Sequence, residues 1–135
     1  RIGQEKRVSP AFLFSALLWH EVLVAWNLRV KQGARPVGAM HEAMEVVLDK
    51  QRARLAIQHR QHAVMKEIWL MQQRFEQRSG QRPFRLLEQQ RFRAGYDFLL
   101  LRCASGEVDD GLGLWWDEFQ EASAERRDEM LQPVQ

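Results

Sequence analysis

Residues 74–102 read RFEQRSGQRPFRLLEQQRFRAGYDFLLLR. Phe92, Tyr96, Leu99 and Leu100 fall at helical spacing, and Phe98 and Leu101 form a second stripe, so a helix is predicted from Arg91 to about Cys103. Pro83 suits a first helical position and predicts a short helix over Phe84–Gln89. The segment Arg78-Ser79-Gly80-Gln81-Arg82-Pro83 is then a turn. Seven arginines run through the stretch (74, 78, 82, 85, 91, 93 and 102), with no lysine and only Glu76, Glu88 and Asp97 as acids. Arginine offers a flat, permanently charged fork that pairs with phosphate oxygens and stacks on π-faces. The stretch therefore proposes an anion-binding helical element, with nucleic acid as one candidate partner. In the turn, backbone N–H groups and flanking arginines can grip a phosphate, or Gly80 can simply cap the preceding helix. Arg85, Arg91 and Arg93 are well placed for function, although Glu88 lies three residues from both Arg85 and Arg91 and can pair with part of the cluster. The aromatics are core by base rate, and Tyr96 is the candidate for an exposed stacking platform.

Towards the N-terminus, Val64, Ile68, Met71 and Phe75, with Met65 and Trp69 beside them, predict a helix from about Arg60 to Gln77. Methionines at this spacing read as core packing. Another helix is predicted over Val37–Ala56, with Met40, Met44, Val47, Leu48 and Leu55 inward. Its last third carries Lys50, Arg52 and Arg54, which either complement the negative end of the helix dipole or touch phosphate. The first helix starts at Val8-Ser9-Pro10, with Ser9 as cap, and runs to about Arg29. Phe12, Leu13, Ala16, Leu17, Val24 and Leu28 are taken as its stripe, widened by Phe14, Leu18, Trp19 and Trp26, which makes it a central helix. Towards the C-terminus, Ala104–Asp110 reads as an acidic loop. A last helix, Leu112–Ala124, presents Leu112, Trp115, Trp116 and Phe119, and Glu125–Gln135 reads as frayed. No strand-period alternation occurs. The expected class is all-α, a single bundle of about five to six helices, with residues 1–125 as the body and 126–135 as a tail.

A chain of 135 residues can bury one modest core. Its net charge of +2 conceals an asymmetry. Residues 1–49 carry +1, residues 50–102 carry +8 and residues 103–135 carry −7. A basic centre beside an acidic end points to a polyanion partner, or to one part neutralising the other. The lone Cys103 excludes an intrachain disulfide framework and fits a reducing compartment. No signal peptide or transmembrane span is read, since the apolar run Ala11–Trp19 has the length of a buried helix. His59 and His62 lack further metal ligands. His20-Glu21 and His41-Glu42 lack the second histidine of a zinc-protease helix, and His20 is expected in the core. Asp109-Asp110 are adjacent and would point apart, so they do not form a metal pair. The residues favour binding over catalysis.

One set of residues resembles a known family: Ser9-Pro10-Ala11-Phe12-Leu13-Phe14, Leu18-Trp19, Glu67-Ile68-Trp69 with Gln72 and Arg74, Gly80-Gln81-Arg82-Pro83-Phe84, Leu86-Leu87-Glu88, Arg91-Phe92-Arg93-Ala94-Gly95-Tyr96-Asp97-Phe98-Leu99, Trp115-Trp116 and Phe119-Gln120. In this order it is similar to the C-terminal half of bacterial poly(A) polymerases, relatives of the tRNA CCA-adding nucleotidyltransferases. The resemblance covers about Val8 to Gln120. It implies a template-independent polymerase that adds AMP from ATP to RNA 3′ ends, marking RNA for decay. It further implies a catalytic head with an Asp-x-Asp pair and two magnesium ions, which clamp the attacking and leaving oxygens. This chain is expected to begin after that head, within the helical body that contacts RNA. Two departures stand out: the family's basic extreme tail is missing, and Gln58-His59-Arg60 stands where relatives often carry Pro-Lys-Arg.

The expectation is an RNA-binding body region that binds single-stranded RNA weakly by itself and catalyses nothing. Its partners are RNA, the catalytic head of the same polypeptide and proteins of RNA decay, in the cytoplasm. Arg78, Arg82, Arg85, Arg91 and Arg93 are the expected phosphate contacts. Lys50, Arg52, Arg54 and Arg60 come second, and Tyr96 is a possible stacking residue. The alternative is a packing module that braces the head, with its arginines paired to acids. Arginines open on one face favour RNA, whereas arginines bridged to Glu107, Asp109, Asp117 or Glu118 favour bracing.

Overall fold

A computed structural model describes residues 9–52 and 54–133. The Val8 end of the first helix start, Ala53 within the second predicted helix and the last two residues of the tail lie outside the described residues. All regular structure is helical: α1 (Pro10–Lys31), α2 (Pro36–Gln51), α3 (His59–Arg74), α4 (Arg82–Leu87), α5 (Phe92–Ala104), α6 (Asp110–Glu121) and α7 (Ala124–Met130). The described residues thus hold seven helices where five to six were expected. They form two compact units, Arg1–Lys66 and Glu67–Gln135, and the division falls inside α3.

The first unit is built on an α1–α2 hairpin. Ser9 caps α1, its Oγ accepting from the Phe12 N–H at 3.2 Å, and Pro10 follows at the first position. The turn after α1 needs a left-handed residue, and Gly33 supplies it at φ +98°. Trp26 Nε1 donates to the Pro36 carbonyl at 2.8 Å and so ties α1 to the start of α2. Gln51 Nε2 donates to both Glu21 carboxylate oxygens at 3.3 and 3.4 Å, which fixes the antiparallel register at the other end. The inward face of α1 is Ala11, Ser15, Leu18, Trp19 and Val22, opposite the stripe expected from the sequence. Leu13, Leu17, Val24 and Leu28 of that expected stripe are exposed, and so is His20, which therefore is not a core residue. The small side chains Ala11, Ser15, Ala39 and Ala43 are all buried, as close approach of two helices requires.

By length and composition, with a mean hydropathy of 1.4 over its best window, α1 is apolar enough to cross a membrane, a feature the sequence reading did not register. Packing against α2 accounts for only part of that composition, since 28% of the window is buried and Leu13, Leu17, Val24 and Leu28 are exposed. The inner face of α2 is Met40, Met44, Val47 and Leu48, as expected, but the helix ends at Gln51, so Arg54 and Leu55 lie beyond it. Gln51 is drawn into the interior by Glu21, and its carbonyl is shared by the N–H groups of Arg54 and Leu55 as the chain turns away.

The second unit has an aromatic core. Met71, Phe75, Leu86, Phe92, Tyr96, Leu99, Leu112, Trp116, Phe119 and Met130 pack together. Phe75 and Trp116 meet edge to face at 5.2 Å, and Trp116 Nε1 donates to the Phe75 carbonyl at 2.9 Å. In α5 the stripe is Phe92, Tyr96, Phe98 and Leu99, whereas Leu100 and Leu101 point outward. Asp109 starts α6 by accepting the Gly111 N–H at 2.8 Å. The segment read as frayed contains α7. Ser123 caps it, accepting the Arg126 N–H at 3.1 Å, and Met130 is buried at its end. Arg127 closes α6 from the same side, its Nε and Nη2 donating to the carbonyls of Phe119 and Gln120 at 2.8 Å each.

Candidate nucleic-acid interface

In the second unit, α3 ends at Arg74, and the chain turns through residues 75–81 before α4. Gly80 sits in this turn at φ +61°, too far beyond α3 to be its cap; it shapes the turn instead. The turn places Arg78, Arg82 and Arg85 around one open cavity of about 890 Å³, with Gln77, Ser79 and Gln81 on the same wall. Glu76 also lines it. Among the described residues, no carboxylate lies within ion-pair distance of these three arginines. Arg82 and Arg85 are exposed, and Arg78 is half-buried with its guanidinium 5.7 Å from the centre of the Trp115 ring. The buried Nε of Arg78 has no hydrogen-bond partner.

Gln132 and Pro133, which follow α7, add a further part of the cavity wall. The Gln132 N–H donates to the Arg78 carbonyl at 2.9 Å, and Trp115 Nε1 donates to the Met130 carbonyl at 3.2 Å. These two bonds carry the strand after α7 past the arginines. No spacing rule links residue 132 to residue 78, so this wall was missed in the sequence. A stronger reading of Ser123 as a helix cap was the one available signal.

The remaining candidates are placed otherwise. Arg91 Nε lies 3.3 Å from Glu67 Oε1, and Arg93 Nε lies 3.4 Å from Asp97 Oδ1. The expected pairing of Glu88 with Arg85 or Arg91 does not occur, because α4 stops at Leu87 and the break before α5 removes the helical spacing. Arg102 joins the interior, its Nη1 donating to Gln72 Oε1 at 3.0 Å while its Nε meets Glu107 at 3.1 Å. Tyr96 is not an exposed platform. It is buried, stacked on Phe92 with centroids 6.0 Å apart and planes 9° apart, and its hydroxyl donates to Asp117 at 3.3 Å. Burial, and then the Asp117 carboxylate, push its phenol pKa up. The Arg93 guanidinium lies 5.4 Å from the Tyr96 ring centre, so even that cation has a partner.

Lys50, Arg52, Arg54 and Arg60 lie in the first unit and are exposed, with Arg52 paired to Asp49 at 3.0 Å. Among the described residues no group of three His, Cys, Asp or Glu side chains can hold a metal ion. The donor set for the magnesium that the resemblance implies is not found among the described residues.

The family described as polymerase A arginine-rich C-terminus matches residues 32–135. Among curated proteins, the chain is 40% identical over 126 residues to poly(A) polymerase I of Escherichia coli O6:H1, covering 89% of this chain and 26% of that protein. It is 36% identical over 137 residues to poly(A) polymerase I of Salmonella typhi, covering 97% and 29%. It is 34% identical over 140 residues to the Haemophilus influenzae enzyme of the same name, covering 100% and 30%. The chain thus spans under a third of the length of the relatives it matches.

Proposed function

This chain belongs to the polymerase A arginine-rich C-terminus family, and from that premise we propose that it holds single-stranded RNA for a longer poly(A) polymerase. In this reading the catalytic head of the same polypeptide adds AMP from ATP, with magnesium, to RNA 3′ ends in the bacterial cytoplasm, and the present residues grip the strand. The observation that carries it is the group of three arginines, Arg78, Arg82 and Arg85, open on one cavity without acidic partners. A guanidinium kept free of carboxylates remains available for phosphate, whereas a paired one must first be released. None of the salt bridges joins the arginines of residues 78–93 to Glu107, Asp109, Asp117 or Glu118, the arrangement that would favour bracing. The other arginines expected at phosphate are paired, Arg91 with Glu67 and Arg93 with Asp97, and Arg102 is held by Gln72 and Glu107.

The test is a fluorescence-anisotropy titration of the chain with a short RNA at several salt concentrations. Neutralising about three phosphates of a single strand gives a log–log slope near about −2. The R82A/R85A double substitution should bring that slope to about −0.7, since each phosphate contact contributes about 0.7. An unchanged slope in the double variant would remove the cavity from the RNA track. With ATP and magnesium but no head, the chain alone should add no AMP to the RNA.

A further inference from the structure

We propose that the outward face of α1 is a self-association surface, on which α1 of a second copy of this chain packs antiparallel. The proposal is independent of the RNA reading. Leu13, Leu17, Val24 and Leu28 are each more than half exposed and lie along one side of the helix. Ala16, His20 and Asn27 fill the gaps between them and are exposed too. From Pro10 to Leu28 the sequence holds one charged side chain, Glu21, and that one is turned to the Gln51 amide of α2. The outward face is therefore apolar and free of fixed charge until Lys31. A row of bare aliphatic side chains of this kind marks a contact surface.

The spacing of the row points to a second copy as its occupant. A two-fold dimer needs a patch that is complementary to itself. Leu13, Leu17, Val24 and Leu28 stand four, seven and four residues apart, so the row reads the same in both directions. With a two-fold axis between positions 20 and 21, Leu13 faces Leu28 of the second copy and Leu17 faces its Val24. The two His20 side chains then meet at the axis. No like charges are brought together, because each Lys31 lies at the far end from the other. The helix has 22 residues, about 33 Å at its ordinary rise. A contact that long and one helix wide falls at the low end of specific interfaces, about 1,200 Å² in total. A weak dimer follows, with a dissociation constant of about 10–100 µM.

The experiment is analytical ultracentrifugation of the whole chain from about 1 to 300 µM, a range that brackets that constant. The mass should rise from that of one chain towards that of two. Leu17→Glu and Val24→Glu each place a charge at the contact, and both should stay folded by circular dichroism while raising the dissociation constant at least about thirtyfold. Using two variants guards against one that fails to fold. Cysteines placed in a Cys103→Ser background report the register. His20→Cys should oxidise to a covalent dimer. Leu13→Cys alone should not, because its two copies would lie about 22 Å apart along the helices. Leu13→Cys mixed with Leu28→Cys should. A chain that stays monomeric to about 300 µM overturns the proposal, since another occupant would then cover the face. So does a dimer that both glutamate variants leave intact, which would use another surface. Self-linkage of Leu13→Cys as ready as that of His20→Cys overturns the antiparallel arrangement.

Discussion

Gly95 has no room for a β-carbon. One built there would fall inside contact distance of Met71 Sδ and 3.3 Å from Met71 Cβ, and the Gly95 carbonyl accepts from the buried Gln72 amide at 3.2 Å. G95A must therefore push α5 from α3 or displace Met71. It should lose about 1–3 kcal/mol in urea unfolding, even though alanine gains up to about 1 kcal/mol of helix propensity. Stability equal to the parent would show that Met71 swings aside without cost. The block Arg91–Leu99 was visible as a family signature, but the need for glycine at 95 comes from Met71, 24 residues away. His62 shows how burial acts on charge. Burial first, and then the cations His59, Arg52 and Lys66, hold its pKa below the ordinary 6.5, with Glu45 opposing. The unfolded chain then takes the proton before the folded one. The contribution of His62 to stability is full above the ordinary value and is lost as pH falls below it towards the folded pKa. H62N should therefore flatten part of the stability loss seen between about pH 7 and pH 5, and an identical pH profile would dismiss that role.

At the scale of elements, α1 had two apolar stripes, and periodicity alone did not say which one faces inward. Leu17 is 63% exposed and its neighbour Leu18 is 2% exposed, because one residue turns the helix by about 100°. L17E should change the unfolding free energy by no more than about 0.5 kcal/mol, whereas L18E buries an unpaired charge and should cost several kcal/mol or abolish folding. Equal effects at the two positions would mean that the inward face is not the one described. The stripe was misread because the outward face carries more large aliphatic side chains (Leu13, Leu17, Val24 and Leu28) than the inward one, and the deciding partners, Ala39 and Ala43, lie on α2. A similar lesson holds for α7. Its sequence, AERRDEM, is polar, with one buried methionine, and its place is set by Arg127 gripping the end of α6. A short helix held by such contacts leaves little periodic signal.

At the scale of the whole molecule, the charge pattern and the helical content were open to reading from the start. Serine and proline caps, three-to-four spacing and the lack of strand alternation determined an all-helical chain, and the arginine-rich centre with its family motifs determined its kinship. These are local properties, written in neighbours within a helical turn or two. The division into two units, the inward face of α1 and the burial of Tyr96 were decided by tertiary structure. So was the sorting of the arginines: Arg91 finds Glu67 and Arg102 finds Gln72, while Arg78, Arg82 and Arg85 are left to one cavity closed by Gln132. Ion pairing depends on distance in space, which the chain sets only when it folds, so a count of charges could propose an anion site but could not say which cations would remain free to form it.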